Sequence, residues 1–477
     1  MLLTTVAGCH SLRRVIRHVR DTDGRPAGLG SLTGEPATWN LADDDHSLRR
    51  ANNNGGTLDQ VMPCSAVELD LDSLGHYLKT AALSPADGTS VIRDRLTLED
   101  VEAMAMRSHP SILQLRSTVD AAYGRQVQSG LPFNPVLQYR SDEVGNEGSS
   151  GLHSLSIAQQ FVTADKLGLA QQVESGNVQK QLARLTIEEK RVLARVRTAF
   201  SQCVIAQQRK MLTEQISRVA EESVEAVHDL FKAGEASRLA LLQMRVQADQ
   251  AGIDNRNATT TYDATRRALV AAVGDSSVKT AVLEGDLSES LRDRRWDTMI
   301  GEVLESSPEM SLAVAELQRA QWSLQLSCAQ VVPNITGQVG IGYDAGTDDP
   351  FAQIGVSVPL PVRNRNQGNI RSSKAEVVAA ENAIERTGLS LEMRLAASVG
   401  RYNVARETHD RLTSAVLPAA EEGYELAAQA YRVGEVDYLQ LLTAQRVLFD
   451  ARLDLLDALE GAATAAAEID TALVDLP

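Results

Sequence analysis

Residues 231–245 read FKAGEASRLALLQMR, and residues 431–446 read YRVGEVDYLQLLTAQR. In each, a glycine followed by glutamate (Gly234–Glu235, Gly434–Glu435) interrupts apolar residues that recur at three- and four-residue steps. Glycine tolerates the left-handed backbone of a helix stop, so each stretch reads as the tip of a helical hairpin. The glycines, Leu239 and Leu439, and Leu242 and Leu442 all lie 200 positions apart. The chain therefore says the same thing twice.

The duplication extends outward. HPSILQLRSTVDAAYGRQVQSGLPFNP, from His109, matches SPEMSLAVAELQRAQWSLQLSCAQVVP, from Ser307, with Pro110/Pro308 and Pro135/Pro333 both 198 apart. A two-residue insertion between the blocks reconciles the two offsets. Two repeats are expected, over 96–290 and 291–477, behind a leader of residues 1–95. The leader's GRPAGLGSLTGEPATWNLADDDH and ANNNGG read as poorly ordered linker.

Within each repeat the hydrophobic period changes in the same order. A helix over Leu96 to about Gly130, broken at Pro110, is matched by one over Trp296 to Val332. Period-two alternation follows. It runs through Ile335, Val339, Ile341 and Tyr343, then Ile354, Val356, Val358 and Leu360. The first copy shows it at Leu137 and Tyr139, then Leu155, Ile157 and Phe161. Each pair of strands reads as a two-stranded hairpin around an acidic, turn-rich link, SDEVGNEGSSG or DAGTDDP. A long helix comes next. Lys166 to Lys232 contains no proline, with apolar positions at Val178, Leu182, Leu185, Val192 and Val196; Ile370, Val377, Ile384 and Leu391 fall seven apart. Such heptads predict side-by-side packing as coiled coils, in rods of roughly 90 Å at 1.5 Å per residue. Return helices run through Leu239–Val273 and Leu439–Leu473.

Composition narrows the function. Aromatic residues are only 4% of 477, which suits long helices better than a dense globular core. The formal charge of -16, with no basic stripe carrying aromatics, argues against nucleic acid as a partner. No apolar run is long enough for a membrane-spanning helix. Cys9, Cys64, Cys203 and Cys328 show no CxxC spacing, so neither a zinc knot nor a disulfide framework is indicated. VAGCHS, around Cys9, resembles a bacterial lipobox, a lipidation site. Only eight residues precede the cysteine and none is basic, so either the start lies upstream or the match is chance. DDDH (Asp43–His46) and MPC (Met62–Cys64) read as solvated linker, not as metal sites. No nucleotide loop, Gly-x-Ser-x-Gly elbow or HExxH is present, and no catalytic group or cofactor is assigned.

Four strands of about ten residues are too few to close a barrel, and open edges expose unpaired backbone. One apolar face per strand fits either a soluble half-buried sheet or a membrane barrel, which must close because lipid offers no hydrogen bonds. Three chains pooling their strands would supply twelve.

The doubled order helix, hairpin, long rod and return resembles the TolC-like outer-membrane efflux proteins, over essentially all of 96–477. VLPAAEEGYELAAQAYRVGEVDYLQLLTAQRVLFDARLDLLDA (Val416–Ala458) is similar to the family's helix and tip, and PLPVRNRNQGNI (Pro359–Ile370) to the strand-to-helix junction of its heavy-metal, CzcC-like branch. The resemblance implies a mainly α fold with a small β part. Long antiparallel coiled-coil hairpins would form an α-barrel, and four strands would join a trimeric 12-stranded transmembrane β-barrel. It also implies a homotrimer in outer-membrane lipid, a periplasmic adaptor and an inner-membrane pump of the RND type. The adaptor would dock at the tips, around Gly234, Glu235, Gly434 and Glu435, which as plain helix stops need no further role. The family's acidic gate would fall at Ala240, Gln440 and Thr443, which carry no acid here, so it is absent or moved to Glu435 and Asp437. Tyr431 matches a tip tyrosine of the closed gate. Arg365, Asn366, Gln367 and Gly368 read as structural: Gly368 for a sharp bend, the polar groups for free helix N–H groups. Heavy-metal cations are the implied cargo, with small toxic organics or secreted proteins as the alternative. A periplasmic adaptor or a structural coiled coil remains a rival, though neither explains two helical hairpins with two strand pairs.

Overall fold

The computed structural model describes residues 95–145, 151–279, 282–285, 287–292 and 296–471. A short strand β1 (Arg95–Leu96) leads into α1 (Leu98–Ser108). Thr97 starts that helix with a capping box: its hydroxyl accepts from the Asp100 N–H, and the Asp100 carboxylate accepts from the Thr97 N–H at 3.2 Å. His109 breaks the path before α2 (Pro110–Ser129), where proline occupies a first-turn position that needs no N–H donor. Strands β2 (Val136–Asp142) and β3 (Leu152–Phe161) follow, then α3 (Lys166–Lys232), α4 (Arg238–Val273) and β4 (Val282–Leu283).

The second half repeats the order. It comprises α5 (Trp296–Ser306), α6 (Pro308–Ala329), β5 (Ile335–Asp344), β6 (Asp349–Ser357), α7 (Gln367–Arg411), α8 (Leu417–Arg432) and α9 (Tyr438–Asp470). Ser307 does for α6 what His109 does for α2, accepting from the Glu309 N–H at 3.3 Å ahead of Pro308.

The 67 residues of α3 make a helix about 100 Å long. The matching path in the second half is not one helix. A π turn, Leu412–Val416, separates α7 from α8, with Pro418 in the first turn of α8. Proline supplies no N–H and crowds the preceding turn, and a widened turn relieves both.

The strands also differ from expectation in three ways. The two hairpins are not separate, because β3 pairs with β5 and one antiparallel sheet runs β2-β3-β5-β6. Val358 and Leu360 lie beyond β6, which ends at Ser357. Finally, β1 and β4 form a small parallel pair that periodicity did not signal, flanked by an Arg95–Glu284 ion pair.

Each half has its own helical core. In the first, Val101, Ile112, Val192, Val196, Phe200 and Leu269 pack together. In the second, Leu317, Leu391, Leu395 and Tyr402 pack against the alanine face of α9, including Ala462, Ala465 and Ala466. The heptad Ile370, Val377, Ile384, Leu391 grades from half-buried to fully buried along α7.

The paired tips and the strand face as candidate functional site

Both tips use one hydrogen-bond pattern. The Glu235 N–H donates to the Leu230 carbonyl at 2.9 Å and the Gly234 N–H to Phe231 at 3.0 Å. The Glu435 N–H donates to Ala430 at 2.9 Å and the Gly434 N–H to Tyr431 at 3.1 Å. This is the Schellman stop, which satisfies the last carbonyls of α3 and α8. It requires φ of +81° at Gly234 and +79° at Gly434. A Cβ at either glycine would meet nothing within 4 Å, so only the backbone angle resists a side chain.

The chain then turns back under a side-chain cap. Ser237 Oγ accepts from the Ala240 N–H at 3.1 Å, and Asp437 Oδ1 accepts from the Gln440 N–H at 2.9 Å. Gly234, Glu235, Gly434, Glu435, Asp437 and Gln440 are all solvent-exposed. Asp437 and Gln440 thus meet as an N-cap pair at the start of α9, with the carboxylate at the positive end of the helix dipole. At the first tip, a 3.0 Å hydrogen bond from Lys232 holds the Asp229 carboxyl below the usual range.

Tyr431 is half-buried, its ring centroid 5.4 Å from that of Tyr438 at an interplanar angle of 55°. Tyr438 in turn packs, with Leu442, on Val227, Leu241 and Met244 of the first hairpin. The two tips are therefore in contact. Sequence reading passed over Tyr438, although an aromatic directly after an N-cap aspartate is a visible signal.

At the strand-to-helix junction, Asn366 is the pivot. Its φ is 58°, and its side-chain amide donates to the Ser327 carbonyl at 2.8 Å and to Gln330 Oε1 at 3.0 Å. Gln367 Oε1 accepts from the Arg365 N–H at 2.8 Å. Gly368 is the second residue of α7 and has no positive φ, so the bend expected of it belongs to Asn366. In the first half, Ala164 and Asp165 take the left-handed conformation before α3.

The sheet has two chemically distinct faces. On one, Leu137, Ile157, Val339 and Ile354 stand in register, beside Tyr139, Leu155, Ile341 and Ala352. This face is bare: Ile341 is 70% exposed, Val356 74% and Ile354 85%. On the other, Gln138, Ser156, Gly340 and Gln353 are in register, and Gln338 donates to Ser156 Oγ at 2.8 Å. Phe351 folds over Gly342 on this side, where a Cβ would come within 2.3 Å of the ring. Covering the aliphatic face would gain about 25 cal/mol per Å² of apolar surface taken from water. Among the described residues no helix is long and apolar enough to cross a membrane.

Among the described residues no group of three or more metal-ligating side chains occurs. Cys9, Asp43–His46 and Met62–Cys64 lie outside the described residues.

A lipid-facing sheet continued by long helical hairpins with exposed tips defines an outer-membrane duct that reaches into the periplasm. The chain belongs to the outer membrane efflux protein family, whose model matches residues 103–275 and 299–473. It is an outer-membrane efflux channel. Cobalt-zinc-cadmium resistance protein CzcC of Cupriavidus metallidurans is 28% identical over 381 residues, 79% of this chain and 90% of the relative. Among solved structures, a membrane protein from Pseudomonas aeruginosa superposes with a TM-score of 0.66 at 19% identity, covering 79% of this chain and 92% of its own. The open state of the MtrE outer-membrane channel of Neisseria gonorrhoeae gives 0.64 at 16%, covering 81% and 93%. These two likenesses support the fold alone.

Proposed function

We propose that three copies of the chain pool their strands into a closed 12-stranded barrel, and that the duct so formed carries divalent heavy-metal cations out of the cell. Members of the family act as trimeric channels with adaptor and pump partners. The observation that carries the reading is the sheet: its end strands, β2 and β6, leave backbone to be paired, and its aliphatic face needs lipid. Neighbouring copies and bilayer supply those two needs.

The exposed Schellman stops at Gly234–Glu235 and Gly434–Glu435 are the proposed docking points for a periplasmic adaptor, itself coupled to an inner-membrane pump of the RND type. Tyr431, Asp437 and Gln440 would edge the periplasmic entrance. The cargo assignment is supported by the relationship to a cobalt-zinc-cadmium resistance protein and by the acidic excess of this chain, which favours cations near its surfaces. Lipid on Cys9 would add a second membrane attachment, checked by the mass of the mature N-terminal peptide.

Two measurements test the whole. Native mass spectrometry of the detergent-extracted protein should give three subunits. Deleting the gene should lower tolerance to cobalt, zinc or cadmium salts, with tolerance restored by the intact chain. A monomer, or unchanged tolerance to all three metals in a strain without a second duct, would overturn the reading.

A further inference from the structure

The sheet carries opposite charge at its two ends. At the loop end, Asp142, Asp344 and Asp349 stand in one register row. The other end leads into the helices, and from Pro350 to Ala375 the chain has no aspartate or glutamate. That span carries Arg363, Arg365, Arg371 and Lys374, in a chain whose formal charge is -16. All four are solvent-exposed. Gln367 bonds the backbones of Arg363 and Arg365. Among the described residues, none of the four side chains has an ion-pair or hydrogen-bond partner. The next carboxylate along α7, Glu376, accepts from Ser372 Oγ at 3.2 Å. Elsewhere arginines are matched with acids, as in Arg197–Glu102, Arg394–Glu309 and Arg401–Glu468.

The cluster belongs to the second repeat alone. Four residues, 162–165, join β3 to α3, whereas nine, 358–366, join β6 to α7. Both links end in a left-handed N-cap, Asp165 and Asn366. Counted from those caps, Arg371 and Lys374 correspond to Ala170 and Val173. Lys166, the cation beside the first cap, is engaged by the Val332 carbonyl and the Asn334 side chain. The longer link is apolar where it leaves the sheet. Val358, Leu360 and Val362 alternate with Pro359 and Pro361, and Leu360 and Val362 are 79% and 72% exposed. The nine residues of β6 cover about 30 Å of strand, enough at a barrel tilt for an apolar band of about 25 Å. The basic cluster therefore follows that band at its helix-side, periplasmic edge.

We infer that Arg363, Arg365, Arg371 and Lys374 form a site for the headgroup of an anionic phospholipid in the periplasmic leaflet of the outer membrane. Leu360 and Val362 meet the start of its acyl chains. A lipid phosphate accepts charge-assisted hydrogen bonds from guanidinium and ammonium groups, and basic residues beside an apolar membrane-facing surface attract anionic lipid. Apolar strip and cations occur here in the order in which a lipid presents its chains and its phosphate. The site fixes the depth of the sheet in the bilayer from one repeat. The inference rests on the outer-membrane location, not on the proposed trimer or cargo.

The test counts bound lipid. Full-length protein in lipid-free detergent is incubated with phosphatidylglycerol or phosphatidylcholine, and the lipid retained per subunit is read by native mass spectrometry. Wild type is compared with Arg363→Gln/Arg365→Gln, with Arg371→Gln/Lys374→Gln, and with Arg245→Gln/Arg256→Gln, which removes two exposed charges from α4 as the control. Wild type should retain phosphatidylglycerol in preference to phosphatidylcholine. Each junction pair should lower phosphatidylglycerol retention roughly tenfold or more, with the thermal midpoint and phosphatidylcholine retention unchanged, and the control should match wild type. Equal phosphatidylglycerol retention in wild type and both junction pairs overturns the site. Displacement of the lipid by an equal concentration of inorganic phosphate would make it a free-anion site and overturn the lipid assignment. Loss of subunit association by a junction pair in lipid-free detergent would give the cations to a neighbouring copy and overturn it too. A monomeric wild type that still prefers phosphatidylglycerol removes the trimer and leaves the lipid site standing. A trimeric wild type with no such preference removes the lipid site alone.

Discussion

The two helical hairpins descend from one pattern and are built differently. The first is an unbroken rod, α3, folded back on α4. The second is divided by a π turn before its tip, and its return helix packs on the first hairpin through Tyr438 and Leu442 near the tips and an Arg209–Asp457 ion pair further along. Packing side chains into grooves along a whole interface makes a wall, since close-packed cores resist gradual deformation. The duplication thus supplies a continuous helix in one half and an interrupted one in the other from the same plan.

The cores offer the largest test of that comparison. Phe200 in the first half is 1% exposed and Tyr402 in the second is 0% exposed. The Tyr402 hydroxyl donates to the Arg292 carbonyl. Truncating either ring to alanine should cost about 3–5 kcal/mol. Both Phe200→Ala and Tyr402→Ala are expected to reduce the amount of assembled protein in the outer membrane, read by immunoblot of membrane fractions. Tyr402→Phe should cost only about 1–3 kcal/mol, the penalty for leaving the carbonyl unsatisfied. If only the Tyr402 variants fail to assemble, the two halves are not equivalent even at their cores.

Next in size are the stops. Valine at Gly434 or Gly234 must adopt a left-handed φ, at about 1–3 kcal/mol, with no steric clash to blame. Gly434→Val is expected to lower metal tolerance while leaving the amount in the membrane near wild type. Gly234→Val carries the same strain on the unbroken first hairpin, and it should affect tolerance less. Equal losses from the two would mean that both tips serve alike. The caps are smaller still. Asp437→Ala and Ser237→Ala each remove one cap, at about 1 kcal/mol, and fraying should be measurable by amide exchange in the first turn of α9 and of α4.

The doubling of the tips, the uninterrupted span of Lys166–Lys232 and the alternating apolar face were all legible in the sequence, because each is a local periodicity. What escaped was tertiary or depended on a single residue. The pairing of β3 with β5 joins residues 174 to 192 positions apart, and nothing in either strand's pattern names its neighbour. The bend before α7 looked like work for Gly368, yet asparagine enters the left-handed region with enough ease that Asn366 does it, held by Ser327 and Gln330. Pro418 was visible inside a helical run, and a proline there signals a break. The π turn it accompanies has no periodicity of its own, so the sequence does not show that the helix widens there instead of ending. Tyr438 follows the tip motif by a few residues, but its neighbours Val227, Leu241 and Met244 lie on the other hairpin and are not foretold by spacing.

The smallest expected effect concerns the upper end of the α3–α9 contact. Burial pushes the Glu460 carboxyl above the usual glutamate range, Arg209 opposes the shift and Asp457 adds to it. A carboxyl whose folded value is raised binds its proton more tightly in the folded state. Stability then falls as pH rises from the unfolded value through the folded one, and the loss is complete above both. Glu460→Gln keeps the shape and stays neutral at every pH. The variant should melt higher than wild type near neutral pH, and the gap should close as the medium is acidified below the ordinary glutamate range. Thermal midpoints across that range, in one detergent, measure it.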